Sequence, residues 1–191
     1  MEVVSLRRCI VYTSIQRCSF LGRLDMSEFI CKVASLEEMN QRWDYLISQN
    51  IVDSNWPIWK EKNIERVQKG LSITYYGILD GEIITEGSAL LDASIVQNSD
   101  GLVSNDTAYL SAFRTIPKYQ NQGYFSKLYK FVLSDLKTRG YKKVTLGVEP
   151  SEVKNMQIYF HYGFTEFIKL ASETYPDGEQ IHVLYYGKEI D

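Results

Sequence analysis

One stretch in this 191-residue chain combines residue types and spacing that could do chemistry: Phe113-Arg114-Thr115-Ile116-Pro117-Lys118-Tyr119-Gln120-Asn121-Gln122-Gly123-Tyr124-Phe125. A strand-like run passes through a Pro-bounded loop into a helical pattern that opens at Gly123. A helix start presents unpaired N–H groups and the positive end of the helix dipole. Those groups suit a phosphate or pyrophosphate, and a glycine lets the backbone approach such an anion closely. The same glycine could simply ease a strand-to-helix turn. Neither G-x-G-x-x-G nor G-x-x-x-x-G-K-[ST] occurs, so the dinucleotide and P-loop fingerprints are excluded. Cys9, Cys18 and Cys31 form no C-x-x-C pair, and His161 and His182 form no H-E-x-x-H. A disulfide framework, a zinc site and a thioredoxin-type site are set aside, so no metal is expected, and a reducing, cytoplasmic setting is the natural reading.

The elements that must position this stretch are legible in the periodicity. Residues 28–34 alternate as a strand. Ser35 and Glu38 form a capping-box signature ahead of Leu36, Met39, Trp43, Leu46 and Ile47 at helical spacing, which predicts a helix over 36–48. A second helix is predicted within 57–68, with Pro57 in its first turn and Gly70 at its end. Asp80-Gly81 between two strand-like runs, 73–79 and 82–90, predicts a hairpin. Residues 94–106 read as a loop and 107–115 as a strand. From Gly123, the residues Phe125, Leu128, Tyr129, Val132, Leu133 and Leu136 mark one face of a helix that stops at Gly140. A strand at 143–148, a helix at 152–162 closed by Gly163, and strands at 165–173 and 180–187 around a Pro176-Asp177-Gly178 turn complete the chain. The order is β-α-α-β-β-β-α-β-α-β-β, an α+β (mixed α/β) class with no internal repeat.

Composition supports one globular domain: 45% apolar, 24% charged, and no run of apolar residues long enough to span a bilayer. A formal net charge of −3 gives no electrostatic case for nucleic acid or an anionic membrane, and it disfavours an acidic substrate. Residues 1–25 differ from the rest, with Arg7, Arg8, Arg17 and Arg23 against Glu2 and Asp25. We expect them to be an N-terminal extension outside the fold, Met26 being the natural start, with a transit peptide as the alternative. The domain then spans 26–191.

The segment Pro117-x-Tyr119-Gln120-x-x-Gly123-x-Phe125, after a strand and before a long amphipathic helix, resembles the coenzyme-binding motif Q/R-x-x-G-x-G/A of the GNAT superfamily of acetyl-CoA-dependent N-acetyltransferases. Gln120 and Gly123 match, whereas Phe125 stands where Gly or Ala is usual. Tyr159-Phe160-His161-Tyr162-Gly163-Phe164 matches the family's Y-x-x-x-G-F ending on the next helix. Four and seven residues before that Tyr, where the family commonly has Ala and Asn, stand Asn155 and Glu152. The element order over 28–187 also resembles the family's fold, a mostly antiparallel, twisted sheet of about seven strands with helices on both faces.

The resemblance implies transfer of an acetyl group from acetyl-CoA to a primary amine by direct attack on the thioester. Backbone groups near Phe113 and Thr115 would meet the pantetheine arm and the thioester oxyanion. Gln120, Asn121, Gln122, Gly123, Tyr124, Phe125 and Ser126 would hold the pyrophosphate, with Asn155 one turn from Tyr159 as a further coenzyme contact. Tyr159 is in the family's position for the acid that protonates the leaving thiolate. Glu86 is the candidate base, with Glu149 as another. The acceptor would be a small amine, a polyamine or a peptide N-terminus. Trp56 and Trp59 would either wall its site, where aromatics beside carboxylates suit a cationic amine, or pack the second helix onto the sheet. The family also makes a homodimer an open option. The alternative, favoured by Phe125 and Glu152, is a catalytically weak domain that binds acyl-CoA as a sensor or interaction module.

Overall fold

A computed structural model describes residues 28–51 and 54–190; the expected extension at 1–25 lies outside the described residues. The chain runs β1 (Phe29–Val33), α1 (Leu36–Gln49), α2 (Asn55–Gln68), β2 (Ser72–Leu79), β3 (Glu82–Leu90), β4 (Thr107–Thr115), α3 (Tyr124–Thr138), β5 (Lys143–Val148), α4 (Val153–His161), β6 (Glu166–Thr174) and β7 (Gln180–Glu189), with 3-10 turns at Ala93–Ile95 and Pro117–Tyr119. The seven strands form one sheet in the order β1-β2-β3-β4-β5-β7-β6. Every neighbouring pair is antiparallel except β4 with β5. That is the α+β class and the mostly antiparallel seven-stranded sheet expected from the sequence. The periodicity did not reveal that β7 slips between β5 and β6.

Local chemistry explains the boundaries. Glu38 N–H donates to the Ser35 hydroxyl, and the Glu38 carboxylate accepts from Ser35 N–H at 2.9 Å, so the capping box closes at the start of α1. Asp80 and Gly81 both take positive φ, 49° and 83°, in the tight turn that joins β2 to β3. α2 begins two residues earlier than Pro57, which therefore sits inside its first turn, where a missing N–H costs nothing.

Adjacent residues on a strand face opposite sides of the sheet, which separates the cores. Tyr75, Ala108, Leu110, Val144 and Leu146 meet Leu128, Tyr129, Val132 and Leu136 of α3 on one face. Tyr76, next to Tyr75, meets Met39, Trp43, Leu46, Trp56 and Trp59 of α1 and α2 on the other. On that second face Tyr109, Val183 and Tyr185 form a further cluster with Leu102 from the 91–106 loop. Helices therefore cover both faces, and β4 lies in the middle with a helix layer on each side.

Candidate active site

β4 and β5 pair from Thr107↔Lys143 to Leu110↔Leu146 and no further. Beyond Leu110, β4 runs on to Thr115 against β3 alone, so the two parallel strands part and a gap opens at this end of the sheet. On its other side β4 is bulged. Glu86↔Arg114 and Ser88↔Ser111 are successive pairs, so three steps along β4 oppose two along β3. Ala112 sits in the bulge at φ 55°, a conformation unusual for a residue with a side chain. The bulge re-aims Phe113 and Arg114 just where the strand loses its neighbour.

Past the gap, the chain turns through Pro117–Tyr119 and enters α3 at Gly123. Asn121 and Gly123 both take positive φ, 61° and 80°. Gly123 is the N-cap and provides no side-chain cap, and the first turn carries no acidic residue. Among the described residues no side chain caps the N–H groups of this first turn. A Cβ added at Gly123 would meet nothing within 4 Å, so the glycine answers to backbone conformation, and open space lies above it. Gln120 and Gln122 brace the loop by donating to the carbonyls of Thr115 (3.0 Å) and Lys118 (2.8 Å). Asn121 and Gln122 are exposed, and Tyr124, Phe125 and Ser126 are half-buried. The Tyr124 ring lies 4.8 Å from that of Phe29. Phe125 turns into an aromatic cluster, with ring centroids 5.6 Å from Phe113, 6.0 Å from Tyr129 and 5.3 Å from Tyr162. Its side chain is engaged in packing, and its backbone stays in the first turn of α3.

Tyr159 reaches the same region from α4. Its half-buried ring stands 6.1 Å from Phe164. Burial and then the charge of Glu152 push its phenol well above the usual tyrosine range, so it keeps its proton at neutral pH. It interacts electrostatically with the buried phenol of Tyr109 on β4, which places it near the strand that borders the gap. Asn155 donates to the Glu152 carboxylate at 2.7 Å. Glu149 follows the last residue of β5 and is 4% exposed.

Glu86 lies on the opposite side of β4 from the gap, on β3 and buried. Its carboxylate accepts from Arg42 of α1 at 3.1 and 3.4 Å and pairs with Arg114 of β4 at 2.9 Å. Burial alone would raise its pKa, but Arg114 and Arg42 outweigh that and hold the carboxyl below the usual glutamate range. The guanidinium of Arg114 also stands 5.3 Å from the Trp56 ring and 6.0 Å from that of Trp43. The cation facing these tryptophans is therefore the protein's own. Trp56 and Trp59 are both buried and pack α2, and Trp59 in addition lines a cavity between α1, α2 and the sheet. Tyr76, Glu86, Ser111, Ala112 and Arg114 line it too, so the bulge borders both the cavity and the gap.

The structure thus collects the Gln120–Ser126 loop, Phe113 and Tyr159 around the end of the β4–β5 pair, and sets Glu86 apart in an ion cluster. Sequence reasoning missed Arg42, Arg114 and Ala112. Arg114 stood inside the motif stretch, but nothing marked it as facing Glu86. Among the described residues no group of three His, Cys, Asp or Glu side chains could hold a metal, and no helix is long and apolar enough to cross a membrane.

The model of the acetyltransferase (GNAT) family matches residues 42–164. No curated protein matches the chain. Among solved structures it resembles the ribosomal-protein-S18-alanine N-acetyltransferase of Escherichia coli, at 19% identity over 86% of this chain and 95% of that one, TM-score 0.62. It also resembles an acetyl transferase of Salmonella typhimurium that modifies the N-terminal serine of ribosomal protein L7/L12, at 14% identity over 88% and 98%, TM-score 0.64. An N-acetyltransferase of Staphylococcus aureus Mu50 matches at 11% identity over 86% and 100%, TM-score 0.62. At these identities the likeness is one of fold.

Proposed function

The chain belongs to the GNAT acetyltransferase family, and on that premise we propose that it transfers an acetyl group from acetyl-CoA to a primary amine. The observation that carries the reading is the parting of β4 and β5 beside an uncapped helix start with two positive-φ residues. That combination offers an exposed strand edge for an extended arm and a backbone cradle for a pyrophosphate at its end.

When bound, acetyl-CoA supplies an activated thioester. In the proposal, the N–H groups of Gly123 to Ser126 hold its phosphates, with Gln120, Asn121 and Gln122 shaping the loop. The free edge of β4 through Phe113 and Thr115 binds the pantetheine arm, and a backbone N–H there stabilises the oxyanion. Asn155 steadies the start of α4 through Glu152. The amine attacks the thioester carbon, a C–N bond forms and the C–S bond breaks. Tyr159 gives its proton to the departing thiolate. The amine's surplus proton goes to Glu149, at the end of β5. Glu86, tied to two guanidinium groups, is better suited to positioning Arg42 and Arg114 than to taking that proton.

Calorimetric titration of acetyl-CoA into the full chain, with adenosine diphosphate as control, tests the reading. Micromolar binding of acetyl-CoA with much weaker binding of the control is expected. No binding at millimolar acetyl-CoA would overturn it. Binding without amine-dependent thiol release would move the chain to the sensor or interaction-module reading.

A further inference from the structure

We propose that Gly87 on β3 is a positioning residue for the transfer and acts through the Phe113 ring: the missing side chain at Gly87 seats that ring, and the seated ring fixes the β4 bulge against the start of α3. The inference rests on the transfer reading for its effect on rate, and on packing for the seat itself. The pairs Glu86↔Arg114 and Ser88↔Ser111 leave Gly87 alone opposite Ala112 and Phe113, the two residues of the bulge. Gly87 does not take a positive φ, so backbone conformation gives no reason for a glycine there. Space gives one. A Cβ built on Gly87 would collide with three carbons of the Phe113 ring, the kind of close approach that a glycine inside a strand permits. Gly123 is the opposite case, with positive φ and open space around it.

The ring is boxed in. Phe113 is buried, and besides the β3 backbone at Gly87 it meets Phe125 at 5.6 Å and Tyr129 at 6.5 Å, both edge-on. Phe125 and Tyr129 belong to the first two turns of α3. The next residue of β4 is tied to β3 as well, since Arg114 pairs with Glu86 at 2.9 Å. Adjacent residues of β3, Glu86 and Gly87, thus hold adjacent residues of β4, Arg114 by charge and Phe113 by shape. Ala112, at φ 55°, directly precedes the pair so held. The seat also gives a use to Phe125, which stands where the resembled motif has Gly or Ala. Its large ring packs on Phe113, and the small residue that makes room is on β3 instead.

The arrangement connects to the reaction through spacing. In the transfer proposed above, a backbone N–H near Phe113 meets the oxyanion and the first turn of α3 holds the phosphates. The Phe113 ring is the spacer between the two. A methyl at Gly87 must push the ring toward α3 or push the bulge toward the gap, because close-packed rings leave no free volume to absorb it. Either shift changes where the thioester carbonyl lies relative to its N–H donor, and a misplacement of about 1 Å can cost about 10²-fold in rate. Binding of acetyl-CoA, spread along the whole arm and the phosphates, changes less.

The test is a double-mutant cycle on the full chain: wild type, Gly87→Ala, Phe113→Leu and the two together. Amine-dependent thiol release is followed with a panel of primary amines (small amines, a polyamine and a short peptide), and acetyl-CoA binding by calorimetry. Gly87→Ala should lower kcat about tenfold or more in the wild-type background, with the Kd for acetyl-CoA within threefold. In the Phe113→Leu background, where the smaller side chain leaves room for the methyl, the same change should cost no more than threefold. An unchanged kcat in Gly87→Ala, equal losses in both backgrounds, or a loss that lies wholly in acetyl-CoA binding would overturn the inference. If Gly87→Ala does not fold, Phe113→Leu decides alone: emptying the seat should lower kcat at least threefold with acetyl-CoA binding kept, and a wild-type kcat would overturn the seat. If the wild type turns over no amine, the transfer reading fails, and amide chemical shifts of the same four proteins still decide the seat. Gly87→Ala should move the amides of Ala112, Phe113 and Phe125 in the wild-type background and leave them nearly in place in the Phe113→Leu background. Equal shifts in both backgrounds would overturn it.

Discussion

The two halves of the site, one on each side of β4, are built from different materials. The proposed coenzyme side is made of backbone: an open helix start, two positive-φ residues and a strand edge that β5 leaves beyond Leu110. The cavity on the other side is lined by charged side chains from α1, α2, β3 and β4, held by a buried ion cluster around Glu86. A backbone site needs glycine at a set place, and it recurs with a short local pattern. A side-chain site needs residues far apart in sequence to converge, and it can change its chemistry by single substitutions.

Substitutions on the two sides should therefore fail in different ways. Tyr159→Phe, which removes the proposed acid, should lower kcat about 10²- to 10³-fold while acetyl-CoA still binds as in the wild type. Full turnover in that variant would remove Tyr159 from the chemistry. Glu86→Gln should act first on the fold. It leaves two poorly hydrated guanidinium groups without their carboxylate and should cost about 3 kcal/mol in urea unfolding. Its pH signature has a definite sign. The Glu86 pKa is lowered in the folded state, so its stabilisation is complete above the unfolded value of about 4.3 and is lost as pH falls through the lower folded value. The wild type should lose stability over that acid range, and the glutamine variant should show a flatter profile. Equal slopes would mean that the cluster does not hold the fold.

Gly123→Val sharpens the comparison from the other side. A β-branched residue at φ 80° is strained by roughly 1–3 kcal/mol. Since Gly123 caps the cradle, the KM for acetyl-CoA should rise about tenfold, with the acceptor KM nearly unchanged. A rise in both would join what we describe as separate halves. Ser35→Ala is the smallest change. Losing the capping box of α1 should cost about 1 kcal/mol, visible as a lower melting temperature with kcat and both KM values unaltered.

Much of the fold was legible because its signals are local. The capping box at Ser35, the Asp80-Gly81 turn and the stripe from Phe125 to Leu136 each sit within a few residues of the structure they specify, and the described elements start and stop within about two residues of the expected ones. The loop from Gln120 to Gly123 was legible for the same reason. The ion cluster was not. Arg42, Glu86 and Arg114 come from three elements, and Glu86 faces Arg114 only because the bulge at Ala112 shifts the register between β3 and β4. Nothing in the spacing marks that bulge. The chain total of −3 likewise carries no information on which charged side chains line the cavity, where Arg42, Lys62, Arg66 and Arg114 stand with Glu86. The tryptophans were read as either wall or packing. Trp59 packs α2 and also lines the cavity, and Trp56 packs against Trp43 and Trp59 while facing Arg114.

The central claim is that a coenzyme half and an acceptor half meet at the β4 bulge to move an acetyl group. Its most direct measurement follows free thiol and acetylated amine together, by absorbance and mass spectrometry, as the full chain is given acetyl-CoA and the amine panel. The account predicts thiol release that depends on an amine and matches the acetylated product one for one. Acetyl-CoA that binds yet releases no thiol with any amine, or releases it without acetylated product, would contradict it.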